Sequence, residues 1–240
     1  MRIEDIAYDV DGQRMVGYYA VDNLRPGLRP AVLVCHEGPG LEEHARGRAI
    51  RLAGLGYAAF ALDYHGDGQV LAPDKMYERL GVLTAEPELT RRLARAGLDV
   101  LLAQDSVDPS WVAAIGYCFG GAMCLELARS GADVQAVVGF HPGFGTPDPE
   151  ASRHITASVL MCVGADDPFV SAAQRHAFEV EMAEADVADW RLELYGGTGH
   201  SFTNPRVDAL GTPGLAFNAA ADRRSWRAML DLFDETLRSR

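Results

Sequence analysis

The stretch Gly116-Tyr117-Cys118-Phe119-Gly120-Gly121 constrains this chain more than any other. A strand-like run, Trp111 to Tyr117, feeds straight into it, and a helix-like run, Ala122 to Ser130, leaves it. A sharp strand-to-helix turn needs small residues two positions either side of its apex, because side chains there would strike the neighbouring backbone. Gly116 and Gly120 occupy those positions, so the segment reads as a nucleophile elbow with cysteine where such elbows usually carry serine. The turn lifts the sulfur above a sheet and points it at a helix N-terminus, whose unpaired N–H groups and positive dipole end favour a thiolate. The competing reading is a buried, glycine-flanked structural cysteine.

An elbow implies alternating strands and helices, and the chain supplies them. Ala31 to Cys35 reads as a buried strand, Glu43 to Gly54 as a helix and Ala58 to Leu62 as a strand. Pro87 to Gln104 has helical spacing, followed by Val112 to Tyr117, Ala122 to Ser130 and Val134 to Phe140. Val159 to Gly164, Ala172 to Ala185, Arg191 to Tyr195 and Ala221 to Leu237 complete the pattern. Such alternation predicts an α/β fold, a mostly parallel sheet with helices on both faces and ligands at the carboxyl ends of the strands. Ile3 to Val10 and Met15 to Val21, around Asp11-Gly12, predict an antiparallel hairpin at one edge. With 240 residues, 48% of them hydrophobic, the chain reads as a single domain over 1–240.

Charge narrows the function. A net charge of -12 argues against nucleic acid and anionic membrane as partners and leaves a small molecule as the expected one. The N-terminus lacks a signal-peptide pattern and no later apolar run is long enough to span a bilayer, so a cytoplasmic location is expected. The four cysteines, Cys35, Cys118, Cys124 and Cys162, are too few and too strand-embedded for a disulfide framework. No zinc spacing is present, and Gly54-Leu55-Gly56 ends a helix rather than opening one, so neither a metal nor a dinucleotide cofactor is expected.

If Cys118 is the nucleophile, an acid and then a histidine should follow in chain order, each beyond a later strand. Asp166-Asp167-Pro168 follows the strand ending at Gly164, and Gly199-His200-Ser201 follows the strand ending at Tyr195. Asp167 precedes proline and so lies in extended backbone, whereas Asp166 suits a turn cap. A helix or turn cap is also the ordinary use of Asp167 itself. His200 would hold the thiolate as an ion pair and hand its proton to the leaving group. His65 and His141 also sit at strand ends but lack the required order, and His44, His154 and His176 read as surface residues. Gly38, in the loop Cys35-His36-Glu37-Gly38-Pro39-Gly40, and Phe119 are the candidate oxyanion N–H donors. Glu37 is unusual there, because a carboxylate near a thiol either repels a thiolate or takes its proton.

Six ordered motifs resemble the dienelactone hydrolase family, cysteine members of the α/β-hydrolase class. They are His36-Glu37-Gly38 with Gly40-Leu41, Gly56-Tyr57-Ala58, Leu62-Asp63-Tyr64, the elbow, Gly164-Ala165-Asp166-Asp167-Pro168, and Gly199-His200-Ser201-Phe202. The resemblance implies that Cys118, Asp167 and His200 form a triad and that Glu37 pairs with the resting thiol until substrate displaces it. It also implies arginines for a substrate carboxylate. One is expected shortly after the histidine, where Thr203-Asn204-Pro205 stands and Arg206 comes late; the other is expected from the loop and helix after Asp63, where Arg79 is the candidate without a motif to anchor it. Phe202 and Asn204 complete the candidate substrate-binding residues.

The expectation is a cofactor-independent hydrolase of a small ester or lactone, working through a cysteinyl thioester, as a monomer or small homo-oligomer. A thioesterase or acyltransferase with the same triad is the first alternative. A non-hydrolytic thiol redox sensor or binding protein is the second.

Overall fold

The computed structural model describes residues 1–237. It opens with a hairpin of β1 (Arg2–Val10) and β2 (Gln13–Val21) joined through Asp11 and Gly12. Both turn residues have positive φ, 54° and 83°, the mirror-image turn that follows strand twist, and Asp-Gly tolerates it with little strain. The chain continues through β3 (Arg29–Cys35), α1 (Glu43–Leu55), β4 (Ala58–Ala61), α2 (Pro73–Ala85) and α3 (Pro87–Leu102). Then come β5 (Val107–Tyr117), α4 (Phe119–Arg129), β6 (Ala136–Phe140), β7 (Ser158–Gly164), α5 (Ala172–Glu184), β8 (Trp190–Tyr195) and α6 (Ala219–Thr236).

One sheet holds all eight strands in the order β1-β2-β4-β3-β5-β6-β7-β8. β2 is antiparallel to β1 and β4, and the remaining pairings are parallel. The two-residue period of a strand sorts the core into two layers. Ala31, Leu33 and Cys35 of β3 join Leu93 and Leu98 of α3, Met123 and Leu127 of α4 and Phe178 of α5. Val32 and Val34 face the other way and join Ala45 and Leu52 of α1 and Met229 and Phe233 of α6. Each large apolar side chain so buried contributes about 1.5–3 kcal/mol. The parallel strands are buried on both faces, which is why they read in sequence as unbroken apolar runs.

Two elements differ from the sequence expectation. β5 begins at Val107, ahead of the apolar run, because Val107 pairs with Arg29 before an irregularity that resumes at Ala31 opposite Val112. Its polar opening, with Pro109 among it, hides that start. α2 carries only one buried residue, Leu83, so its apolar spacing is weak. It lies over the site end of the sheet, where a Cβ on Gly38 would meet Met76 Sδ at 3.0 Å and Leu80 Cδ1 at 3.1 Å.

Candidate active site

Six loops, at the carboxyl ends of β3 to β8, build the site. After β5 the backbone turns abruptly at Cys118, whose φ of 54° and ψ of -121° are costly for a residue with a side chain. The surroundings hold it there. Its N–H donates to Phe140 O at 3.0 Å and to His141 Nδ1 at 3.1 Å. The flanking glycines are needed for space: a Cβ on Gly116 would strike the Gly120 carbonyl, and one on Gly120 would strike the carbonyl oxygens of Cys35 and His36. Cys118 is partly exposed while Cys35, Cys124 and Cys162 are buried. Phe119 opens α4, and as its first residue has no intrahelical acceptor for its N–H.

His200, beyond β8, sets Nδ1 2.7 Å from Asp167 Oδ2, beyond β7. The Asp167 carboxylate is fully buried, and its second oxygen accepts the Phe169 N–H at 2.8 Å. The expected division between the two aspartates is therefore corrected: Asp167 holds the imidazole and caps the turn, while Asp166 is exposed and contributes a backbone N–H to Thr198 O at 3.0 Å. Burial by itself would lower the His200 pKa. Attraction to the Cys118 sulfur, hydrogen bonds with Asp167 and Cys118, and the Asp167 charge outweigh it, and the value is pushed up to about 10. Phe169, 51% exposed, stands edge-on to the His200 ring with centroids 5.0 Å apart.

The loop after β3 is clamped from the loop after β4. Tyr64 stacks on His36 at 3.7 Å and donates its hydroxyl to Glu37 O at 2.9 Å, and His65 Nε2 bonds Gly38 O at 2.8 Å. Asp63 organises that second loop by accepting four backbone N–H groups, from Val16, His65, Gly66 and Gly68. The Glu37 side chain is mostly buried, 11% exposed. Its Oε2 accepts from Asn204 Nδ2 at 2.7 Å and lies 3.2 Å from His44 Nδ1, within ion-pair range though off the line of a straight hydrogen bond. Its Oε1 is buried without a hydrogen-bond partner. Burial alone would raise the Glu37 pKa, but His44 and the Asn204 amide, with the His200 charge, bring it below the usual carboxylate value.

The four candidate substrate-binding residues fare differently. Asn204 is engaged with Glu37, and its Oδ1 caps the Arg206 N–H. Arg206 is exposed and pairs outward with Glu43. Arg79 donates Nη2 to Tyr64 O at 2.8 Å and keeps a buried Nε without a partner. Phe202 is wholly buried, with His141 5.2 Å and Tyr195 5.6 Å from its ring centroid, so it backs the site rather than lining it.

His44 overturns a sequence expectation. Instead of lying on the surface, it packs at the start of α1 with its side chain only 7% exposed, edge-on to Tyr117, because the end of β3 delivers α1 directly against the 200–206 loop. His141 was legible as a strand-end residue, but its place beneath the elbow was not. No periodicity marks either one; adjacency to a strand end marks His141, and nothing comparable marks His44 on α1. A cleft of about 310 Å³ borders His44, Thr203, Asn204 and Arg206. The larger cleft, about 660 Å³, lies between α3 and the hairpin turn, and its Arg91 and Arg129 are paired with Glu126.

Among the described residues no helix is long and apolar enough to cross a membrane. The dienelactone hydrolase family matches residues 16–237. Among solved structures, m3DLH superposes with a TM-score of 0.95 at 44% identity, each chain 99% covered. A dienelactone hydrolase-like promiscuous phosphotriesterase from metagenomic libraries gives 0.94 at 43% identity, again over 99% of each chain. A carboxymethylenebutenolidase of a Pseudomonas species is 28% identical over 212 residues, 84% of this chain and 85% of that one. The chain belongs to the dienelactone hydrolase family and is a hydrolase of the ester and lactone class.

Proposed function

We propose that the protein hydrolyses a small ester or lactone through a Cys118–His200–Asp167 triad and a cysteinyl thioester. The observation that carries this reading is the 2.7 Å bond from His200 Nδ1 to the buried Asp167, beside a strained elbow that presents Cys118. Asp167 holds the proton on Nδ1 and leaves Nε2 for chemistry. The Cys118 thiolate attacks the carbonyl carbon, and the oxyanion is met by the N–H groups of Phe119 and Gly38. Collapse breaks the C–O bond, and the His200 imidazolium gives its proton to the departing alkoxide. His200, now neutral, takes a proton from water as the hydroxide adds to the thioester. Cys118 then leaves as thiolate, and His200 is again an imidazolium.

Glu37 holds its negative charge in the same site and opposes the thiolate while the site is empty. A substrate carboxylate is not required by this scheme. Arg206 is turned away toward Glu43, whereas Arg79 keeps a buried Nε without a partner.

A second substrate class has a specific basis in the 43% identity to a promiscuous phosphotriesterase. Attack of the same sulfur on phosphorus would expel an aryloxide, and water would then cleave the S–P bond. One panel tests both readings: 4-nitrophenyl acetate and butyrate, an enol-lactone, an acyl thioester and diethyl 4-nitrophenyl phosphate. Cys118→Ala should lose all turnover that the wild type shows, and Cys124→Ala, altered in the core, should keep its rate while losing about 1 kcal/mol of stability. Turnover surviving in Cys118→Ala removes the triad. Mass spectrometry of the quenched enzyme should show the acyl group on Cys118.

A further inference from the structure

Between the elbow and Glu37 runs a file of polar groups that the triad does not use. The Cys118 N–H donates to His141 Nδ1 at 3.1 Å, and His141 Nε2 lies 2.9 Å from Thr203 Oγ1. Thr203 Oγ1 lies 3.4 Å from His44 Nε2, and His44 Nδ1 faces Glu37 Oε2 at 3.2 Å. The two ends set the direction of the whole file. A backbone N–H can only donate, so His141 Nδ1 carries a lone pair and its proton sits on Nε2, pointing to Thr203. His141 is wholly buried, and burial with the nearby charges of His200, His44 and Arg48 keeps it neutral. At the other end an ionised carboxylate can only accept.

His44 closes the file. The Arg48 Nε–H points at its Nε2 from 3.3 Å, as the Thr203 hydroxyl does, while Thr203 O, 3.1 Å away, already accepts Arg48 Nη2 at 2.7 Å. If Nε2 accepts, the ring proton is on Nδ1; if Nε2 donates to Thr203 O, only a doubly protonated ring avoids a lone pair against the carboxylate. Both states put an N–H toward Glu37. The charged and titratable groups around His44 and Glu37 are Glu42 just ahead of α1, Arg48 on α1 itself, Tyr117 on β5, His141 after β6 and His200 after β8. Asp222 on α6 balances Arg48 at 2.6 Å, and Arg206 is held by Glu43.

We propose that His44 is a positioning residue of this hydrolase: through Nδ1, with Asn204 beside it, it fixes Glu37 as a carboxylate, and Thr203 and His141 tie that carboxylate to the nucleophile elbow. The inference rests on the reading of Cys118 as nucleophile and of Glu37 as the charge that opposes its thiolate. No cation from the substrate side is then needed to keep Glu37 ionised in the empty enzyme.

Two substitutions at one position separate the role from simple packing, because the Asn amide reaches the place of Nδ1 and the Gln amide that of Nε2. Iodoacetamide inactivation is measured from pH 5 to 9 for wild type, His44→Asn, His44→Gln, Glu37→Gln and the His44→Gln/Glu37→Gln double variant. Losing the Nδ1 donor lets Glu37 protonate at higher pH, and each unit of that shift is tenfold in the ionisation equilibrium. His44→Gln should therefore alkylate about three- to tenfold faster than wild type near pH 6. His44→Asn should stay within about twofold, and His44→Gln should add nothing once Glu37 is Gln. Equal effects of His44→Asn and His44→Gln, or an undiminished effect of His44→Gln in the Glu37→Gln background, overturn the proposal. If Glu37→Gln itself alkylates like wild type, the role given to Glu37 falls and the proposal with it. If Glu37→Gln alkylates faster but His44→Gln does not, only the role of His44 falls.

Discussion

Asp167 does with two oxygens what two residues were expected to share. Oδ2 holds His200 and Oδ1 holds the Phe169 N–H, so one buried carboxylate orients the imidazole and shapes the turn that carries Phe169 beside it. Asp167→Asn should keep the fold but allow the wrong imidazole tautomer, with a loss of about 10³–10⁴-fold in kcat. Asp166→Asn, an exposed change, should stay near wild type in both rate and melting temperature. Reversed losses in two folded variants would assign the acid to Asp166. The raised His200 value of about 10 has a consequence for stability as well. A ring that binds its proton more tightly in the folded chain stabilises fully below the unfolded imidazole pKa of about 6.5. That contribution is lost as pH climbs toward about 10. The melting-temperature advantage of wild type over His200→Gln should thus shrink between those limits in calorimetry, and an advantage that grows with pH would contradict the ion pair.

At the scale of elements, the elbow works because β5 and α4 approach too closely for any side chain. Gly120 rests against the Cys35 and His36 carbonyls at the end of β3, so Gly120→Ala pushes α4 away from the sheet and moves the Phe119 N–H with it. The expected cost is about 1–3 kcal/mol or more, together with loss of turnover. Gly47→Ala, on α1 with open space around its Cβ position, is the control and should be neutral or mildly stabilising by thermal melt. An unperturbed Gly120→Ala enzyme would mean that the close approach is unnecessary. α2 stands at the other extreme. Resting on Leu83 and on contacts with α3, it covers Gly38 with Met76 and Leu80 and has little else to hold it.

For the whole molecule, charge acts at longer range than any contact. A net charge of -12 surrounds a site whose own Asp167 carboxylate is buried and whose Glu37 carboxylate is mostly so. An anionic substrate is repelled before it arrives, whereas a neutral ester is not. Raising ionic strength from about 0.01 M to 0.15 M contracts the screening length from about 30 Å to about 8 Å. kcat/KM for a carboxylate-bearing ester should then rise several-fold while that for its neutral methyl analogue stays flat, read under identical pH. A flat response for both would mean that local cations such as Arg79 mask the field. The sheet itself illustrates the division between sequence and fold. Its strands, the hairpin turn, the elbow and the order of Cys118, Asp167 and His200 were legible because local backbone geometry and chain order dictate them. Gly116 and Gly120 are needed by one turn, Asp11-Gly12 by another, and apolar runs by strands covered on both faces. The weakly amphipathic α2 and the polar start of β5 escaped because their pairing partners, not their own residues, define them. His44 meeting Thr203, 159 residues away, His141 lying under the elbow and Arg206 turning to Glu43 were decided only by tertiary structure. Contacts between loops brought together by a sheet leave no period in the sequence, because nothing local depends on them.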